Sequence, residues 1–495
     1  MRRFPIGGTS KLDANFPMTK SLKQTTKSGL LWSSIERFSV QGVQFFIMLI
    51  MARLLTPSDY GIIGMLSIFL AISQAIIDSG FSQALIRKQD RAEVDNSTVF
   101  YFNIVVSGLL YLILFTLAPF VGEFYNTPIL CPIMRVVCLT LIINSLAVVQ
   151  RALLTVKIDF KTQAKASLIS AVLSGITGIT FAYWGYGVWA IVYSSLVSST
   201  VNSLLLWLFS HWRPIWAYSW ASFRELFSFG SRLLGVSIID TIYNNIYTIV
   251  IGKVFTAGEL GHYTRAQNFA QLPSSNITGI LQRVTYPVLC QIQNEDERLA
   301  VVYRKFLKLS AFIVFPLMCG LAGLSTPLVV TVIGEKWLFC SKLLTIICFG
   351  MMWYPIHAIN LNLLEVKGRT DLFLRIEYVK KGIGVILLVI SIPFGVKAMC
   401  IASIGLSLCA LVINTYYTGK MIQVGFFKQM HDLAPILGLS LLMFTVLYCL
   451  HYFIVNSLIQ LLIGIPLGIA IYLIPCYLFK FSGLDEILKL LHIRK

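Results

Sequence analysis

The chain has 495 residues, of which 57% are hydrophobic and only 13% are charged, and its formal net charge is +18. Soluble domains carry about twice this charged fraction, so the composition excludes a soluble enzyme, a disordered protein and a disulfide-rich secreted domain. Because a transmembrane helix needs about 20 apolar residues, the chain has material for about 14 of them and little else.

The chain begins with a basic, polar segment, residues 1–28, that contains no apolar core of a cleavable signal peptide. We expect this segment to be a cytoplasmic tail and the apolar run after it to be an uncleaved anchor. Met18, which precedes a basic stretch, is an alternative start of translation.

Apolar runs then follow one another, joined by loops too short to hold a soluble domain. The predicted fold is therefore an all-α polytopic membrane protein of about 14 transmembrane helices. The predicted spans are residues 29–54, 59–85, 97–121, 128–150, 163–184, 187–210, 228–252, 261–285, 306–333, 338–365, 374–393, 397–418, 433–454 and 457–479.

The basic residues are spread unevenly over the two sides of this arrangement. With the N-terminus inside, 32 of the 40 Lys and Arg fall on the cytoplasmic side and 6 on the other. Cytoplasmic loops of membrane proteins carry such an excess, so both termini are predicted to be cytoplasmic. We therefore attribute the positive charge to the membrane topology of the chain. We expect no nucleic-acid partner.

Two loop segments that lie 200 residues apart share one pattern. Residues 52–61 read Ala-Arg-Leu-Leu-Thr-Pro-Ser-Asp-Tyr-Gly, and residues 252–261 read Gly-Lys-Val-Phe-Thr-Ala-Gly-Glu-Leu-Gly. Each segment joins the first two spans of a block of six, which predicts two lobes related by a parallel repeat. The alternative is a chance match between two tight turns. The predicted division is 1–28 tail, 29–226 N-lobe, 227–420 C-lobe, and 421–495 two extra helices with a cytoplasmic tail.

Polar side chains recur at helical spacing along several spans. Because a charge at the bilayer centre costs about 2.5–3.5 kcal/mol, we expect these faces to line a substrate cavity between the lobes. The predicted cavity residues are Arg37, Gln41, Gln44, Arg135, Asn244, Arg265, Asn268 and Gln271, and the predicted coupling residues are Asp78, Asp240 and Glu365.

Simpler interpretations remain open for the charged members of this set. Arg37 lies close enough to the start of its span to extend to the cytoplasmic surface. Arg265 begins its span and is compatible with an interfacial position, and Asp78 and Asp240 are compatible with purely structural ion pairs. His357, in the tenth span, is more typical of a satisfied polar residue than of a proton carrier.

Several catalytic signatures do not occur in the sequence. It contains no GxxxxGK[ST], HExxH or GxSxG motif and no dinucleotide fingerprint. The ten cysteines form no CxxC pair or zinc pattern, so we interpret them as packing residues. We expect a transporter rather than an enzyme, with no metal or cofactor, driven by an H⁺, Na⁺ or substrate gradient.

Several stretches resemble the Wzx-type flippases of lipid-linked oligosaccharides, particularly the colanic-acid-exporter-like branch of the multidrug/oligosaccharidyl-lipid/polysaccharide exporter superfamily. They include Gly29-Leu-Leu-Trp-Ser-Ser-Ile-Glu-Arg-Phe, residues 52–61, Asp78-Ser-Gly-Phe, Phe160-Lys, Gly185-Tyr-Gly-Val-Trp, Tyr263-Thr-Arg-Ala, Leu272-Pro and Tyr286-Pro. The resemblance extends over nearly the whole chain from about Met18.

This resemblance implies a bacterial inner-membrane protein that works by alternating access on an undecaprenyl-pyrophosphate-linked oligosaccharide, for lipopolysaccharide, capsule or exopolysaccharide assembly. It also implies cavity cations for the pyrophosphate, for which Arg37 and Arg265 are the best candidates here. A polysaccharide polymerase and a chain-length regulator are the expected protein partners, beside the membrane lipid itself.

Three other functions remain open at this stage. A drug/cation antiporter of the same superfamily usually has twelve helices, so the extra pair near the C-terminus disfavours it. A membrane polysaccharide polymerase would need a large external loop, which is missing here. A lipid II flippase is the third alternative.

Overall fold

The structure of the chain is a computed structural model that describes residues 39–479 apart from residues 79 and 89, together with Phe481 and Gly483. Within this part every regular element is a helix. The predicted N-terminal tail and Arg37 lie outside the described residues.

The first nine helices correspond to the predicted N-lobe. They are α1 Ser39–Leu54, α2 Pro57–Asp78, α3 Phe81–Arg87, α4 Glu93–Phe124, α5 Leu130–Val137, α6 Leu139–Ser145, α7 Val148–Val156, α8 Phe160–Tyr183 and α9 Val188–Ser210.

The remaining helices correspond to the predicted C-lobe and the extra pair. They are α10 Trp220–Val254, α11 Ala257–Gln291, α12 Asp296–Gly323, α13 Ser325–Ile333, α14 Leu338–Met351, α15 Tyr354–Val366, α16 Thr370–Ser391, α17 Val396–Ile422, α18 Phe426–Phe453 and α19 Ser457–Leu478.

In the described part, ten helical segments are long and apolar enough to cross a membrane. The other four predicted spans are helices too, namely α1, α10, α11 and α16. The first is described over a short length, and the other three carry charged and amide side chains that lower their hydropathy. The all-α polytopic fold is confirmed, and the number of 14 spans stays a prediction.

The last two helices, α18 and α19, pack against α12 and α13 of the C-lobe. At one end the buried carboxylate of Asp432 accepts hydrogen bonds from Arg304, with an Nε–Oδ2 distance of 2.6 Å, and from Lys308, at 2.9 Å. Further along, the Tyr472 hydroxyl donates to the carbonyl oxygen of Phe312 at 2.9 Å. These contacts tie the extra pair of helices to the C-lobe.

The two repeated loop segments meet each other at one end of the bundle, in what we call the inter-lobe contact (residues 52–61 with 252–261). A Cβ atom at Gly61 would overlap the carbonyl oxygen of Ala257, and one at Gly261 would overlap that of Pro57. The two helices therefore approach closely because glycine occupies both positions. The reciprocal pairing is that of a two-fold related interface.

Each segment also starts its helix in the same way. Thr56 and Asp59 form a reciprocal capping pair at the start of α2, in which the Thr56 amide donates to the Asp59 carboxylate at 2.8 Å. Thr256 and Glu259 form the equivalent pair at the start of α11, with a distance of 3.1 Å. This arrangement satisfies two amide groups that a helix start leaves without a partner.

A basic residue from each segment reaches the end of a helix in the opposite lobe. Arg53 donates from Nε to the carbonyl oxygen of Val332, near the end of α13, at 2.7 Å. Lys253 donates to the carbonyl oxygen of Phe124, the last residue of α4. Cations at helix C-termini stabilise the carbonyl groups that have no partner within the helix.

Candidate functional site

A cavity of about 640 Å³ lies between the lobes, lined by α1, α2, α8, α9 and α11. Five of the residues predicted to line a cavity do line this one, namely Gln41, Gln44, Arg265, Asn268 and Gln271. The first two come from the N-lobe and the other three from the C-lobe. The structure thus brings together the polar faces of the first and eighth predicted spans.

Arg265 is the one charged side chain among the described residues that line this cavity. It is only 5% exposed, and its guanidinium lies over the ring of Tyr60, 3.9 Å from the centroid. The Trp337 ring is 5.8 Å away. Such cation–π contacts orient a cation and partly offset its desolvation, without neutralising its charge.

The charge of Arg265 has no described counter-ion. None of the ion pairs in the described part of the chain includes it, and its Nε atom has no hydrogen-bond partner there. A buried cation normally requires a pairing group. Arg265 is therefore a buried cation whose Nε–H group would be satisfied by an anion bound in the cavity.

Amide side chains form much of the remaining polar wall. The Gln41 amide donates to the side-chain oxygen of Asn276 at 3.5 Å, a contact between the two lobes. Gln44, Asn268 and Gln271 line the cavity around this contact. Amides offer both donors and acceptors without adding charge.

Sequence analysis missed a row of serines on α9. Ser194, Ser195, Ser198 and Ser199 all line the cavity. Their spacing is that of one helical face, so the signal was present in the sequence. These serines carry neither a charge nor an amide, so they stand out less in an apolar sequence than the predicted cavity residues do.

A second cavity, of about 580 Å³, lies within the C-lobe and is lined by α10, α11, α14, α15, α16 and α17. Asn244 and Glu365 line this cavity and not the one between the lobes. In this structure Asn244 therefore lies apart from the inter-lobe cavity, and its role in substrate binding stays a prediction. Tyr263 and Gln267 of α11 face the second cavity, whereas Arg265 and Asn268 face the first, because α11 forms the wall between them.

The three acidic residues predicted to couple transport to an ion differ in their surroundings. Asp240 forms an ion pair with Lys381 of α16. Asp78, at the end of α2, accepts a hydrogen bond from Gln74 at 3.4 Å. Glu365 has no ion-pair partner among the described residues.

Two further predicted residues lie elsewhere. Arg135 of α5 does not line either cavity, and its guanidinium lies 4.3 Å from the centroid of the Phe115 ring of α4. His357 lines the C-lobe cavity, where its ring nitrogens contact Ser407 at 3.0 Å and Asn414 at 3.3 Å. His357 is thus a hydrogen-bonded polar residue, as the simpler interpretation has it.

Comparison with known proteins places the chain in a family. The sequence profile of the family described as "Polysaccharide biosynthesis protein" matches residues 50–342. The chain belongs to this family. The resemblance that we described from the sequence is confirmed.

Among the proteins similar to this chain is the lipopolysaccharide biosynthesis protein WzxC of Escherichia coli (strain K12). It is 27% identical over 458 residues, which are 91% of this chain and 89% of that protein. The teichuronic acid biosynthesis protein TuaB of Bacillus subtilis (strain 168) is 26% identical over 71% of this chain and 73% of its own.

Two solved structures resemble the structure of this chain. The lipid II flippase MurJ in its inward closed conformation matches with a TM-score of 0.75 and 16% identity, over 92% of this chain and 100% of that one. An inward-facing multidrug resistance transporter of the MATE family matches with a TM-score of 0.60 and 16% identity, over 82% and 98%. The chain therefore shares the fold of these two transporters.

Proposed function

We propose that the chain is a flippase that moves an undecaprenyl-pyrophosphate-linked oligosaccharide across the bacterial inner membrane by alternating access. One observation carries this proposal. The cavity between the lobes holds a buried guanidinium without a described counter-ion, neutral amides and hydroxyls, and no carboxylate among its described lining residues.

This lining suits the chemistry of the substrate. The pyrophosphate is a dianion, which pairs well with the planar donors of a guanidinium in a site of low dielectric constant. Sugar hydroxyl groups both donate and accept, and the amides of Gln41, Gln44, Asn268 and Gln271 provide the matching groups. The lipid chain stays in the membrane beside the protein.

The same lining disfavours the alternative of a drug/cation antiporter. A cationic drug would face the positive charge of Arg265, with no described carboxylate in the cavity to bind it. The names of WzxC and TuaB refer to polysaccharide assembly, which favours a glycan cargo over lipid II. We propose a transporter without catalytic activity, acting beside a polysaccharide polymerase and a chain-length regulator.

The inter-lobe contact indicates which state of the proposed transport cycle the structure represents. We infer from the charge distribution of the sequence that residues 52–61 and 252–261, which join the two lobes, lie on the periplasmic side. The inter-lobe contact then closes the periplasmic side, and the proposed transport requires a second state in which this contact opens. We propose that H⁺ or Na⁺ binding at Asp78, Asp240 or Glu365 biases the two states.

The experiment replaces Arg265 in cells that export their surface polysaccharide through this protein. Arg265→Gln should lower export at least about tenfold, because a buried charged hydrogen bond to the pyrophosphate is lost. Arg265→Lys should keep part of the activity, since it retains the charge but not the fork of donors.

Arg283→Gln is the matched control, because Arg283 lies on the same helix, is exposed and lines neither cavity. All variants are compared at equal amounts of protein in the membrane. Normal export by Arg265→Gln would contradict the proposed role of this cavity.

A further inference from the structure

Helix α9 presents a face of small polar residues to the cavity between the lobes. Ile191, Ser194, Ser195, Ser198 and Ser199 line it at spacings of three, four, seven and eight residues from the first. Residues at these spacings lie on one side of a helix. We call Ser195, Ser198 and Ser199 the hydroxyl face.

Packing against α8 fixes the rotation of this helix. The Ser194 hydroxyl donates to the backbone carbonyl oxygen of Ser174 at 2.8 Å. A Cβ atom at Gly178 would lie 3.0 Å from the Cβ atom of Ser194, so glycine lets the two helices approach closely. Ser194 thus belongs to the helix interface, and the hydroxyl face is turned toward the cavity.

The three hydroxyl groups of this face have no hydrogen-bond partner in the described part of the chain. This differs from α8, where Ser170, Ser174, Thr177 and Thr180 all donate to carbonyl oxygens of their own helix. A hydroxyl in a membrane-spanning helix normally satisfies itself in that way. Hydroxyls left free in a polar cavity are available to a ligand that offers both donors and acceptors.

Arg265 provides a second, independent indication of a ligand in the same cavity. Its side chain is buried, and its Nε atom has no partner among the described residues. A ligand that satisfies both features carries an anionic group beside an array of hydroxyls. A sugar bonded to a pyrophosphate has this combination.

We propose that the hydroxyl face of α9 is the subsite for the sugar that is bonded to the pyrophosphate, while Arg265 binds the pyrophosphate itself. This inference rests on the proposed function and adds the residues that recognise the sugar. Serine hydroxyls rotate to donate or accept, so the face adapts to the hydroxyl pattern of the sugar bound to it.

The test measures binding to the purified full-length protein in lipid nanodiscs. One probe is undecaprenyl pyrophosphate, and the other is the lipid-linked oligosaccharide extracted from membranes of the source organism. The wild type should bind the glycosylated lipid more tightly than the bare one. The variant Ser195→Ala/Ser198→Ala/Ser199→Ala should lose this difference, by at least about tenfold in Kd, because each lost hydrogen bond contributes a few-fold.

The same triple variant should bind undecaprenyl pyrophosphate as the wild type does, whereas Arg265→Gln should lose affinity for both lipids. Alanine favours a helix more than serine does, so the triple variant is expected to fold, and its thermal midpoint checks this. Ser203→Ala is the matched control, since Ser203 lies on α9 and does not line the cavity.

A triple variant that keeps the full preference for the glycosylated lipid would overturn the subsite alone. A wild type in which the sugar adds no affinity would do the same. A wild type that binds neither lipid would overturn the proposed function, and the subsite with it.

Discussion

Gly61 and Gly261 occupy equivalent positions in the two lobes, and each lies against the backbone of the other lobe, Gly61 at Ala257 and Gly261 at Pro57. The repeat visible in the sequence is therefore also a contact in the structure. Reciprocal pairs of this kind are typical of a two-fold arrangement, which favours a repeat over the chance match considered for the sequence.

Because the two segments lie so close together, a larger side chain at Gly61 should separate the lobes. In a cysteine-free background, Ser58→Cys/Gly258→Cys should form a disulfide readily, because a Cβ at Gly258 would lie 3.4 Å from the Oγ atom of Ser58. Adding Gly61→Val should lower the disulfide yield about fivefold or more, because overpacking costs about 1–3 kcal/mol and separates the lobes.

The control for this variant is Gly108→Val, since a Cβ atom at Gly108 meets no atom within 4 Å. It should leave the disulfide yield unchanged. Equal yields in Gly61→Val and Gly108→Val would contradict the close approach at Gly61, and no disulfide in the parent pair would show that the inter-lobe contact does not form in the membrane.

Substitution of the two basic residues of the inter-lobe contact should have a smaller effect on the disulfide yield. Arg53→Ala and Lys253→Ala each remove a cation from the end of a helix in the opposite lobe. A charge at a helix C-terminus changes an equilibrium by about two- to fivefold, so each variant should lower the disulfide yield by that factor. Lys342→Ala, an exposed change in α14, should have no effect. An unchanged yield in both variants would refute this role.

The charge distribution predicts the topology. Reporter fusions after Lys88, Lys161 and Lys428 should report a cytoplasmic position, and fusions near Asn126 and Asn456 a periplasmic one. Opposite signals at two or more of these sites would contradict the arrangement of 14 spans with both termini inside.

The surroundings of the three acidic residues predict which of them responds to an ion. A carboxylate that binds and releases a cation must differ in affinity between two states, and a permanent ion pair works against this. Glu365→Gln should therefore abolish the dependence of transport on an imposed pH or Na⁺ gradient, since Glu365 lines a cavity and has no described counter-ion, whereas Asp78 lines neither cavity and accepts a hydrogen bond from Gln74.

Asp240→Asn should instead affect mainly stability, because it leaves Lys381 without its partner. Lys381→Met in the same chain should restore the thermal midpoint, and Asp78→Asn is measured alongside. A full gradient response in Glu365→Gln, measured in vesicles, would exclude Glu365 as the coupling residue.

Helical periodicity explains how much of the site the sequence predicted. Gln41 and Gln44 are three residues apart, and Arg265, Asn268 and Gln271 follow the same rule, so each set had to share one face. Asn244 also lies on a polar face of its helix, α10. Helical periodicity does not determine, however, which neighbouring helix or cavity such a face contacts. In the structure α11 separates Asn244 from the inter-lobe cavity.

The partners of individual side chains depend on tertiary packing, which cannot be recognised from a single sequence. The pairing of Asp240 with Lys381 joins residues 141 positions apart in the chain. The hydroxyl face of α9 depends on how α8 orients that helix, through Gly178 and the carbonyl of Ser174.

The central claim is that the cavity around Arg265 carries a lipid-linked oligosaccharide across the membrane. It is tested most directly by reconstituting the purified protein into vesicles and following the movement of that lipid between leaflets with a lectin outside. Wild-type vesicles should translocate it, Arg265→Gln vesicles at least about tenfold more slowly, and protein-free vesicles hardly at all. Equal rates in wild-type and protein-free vesicles would contradict the account.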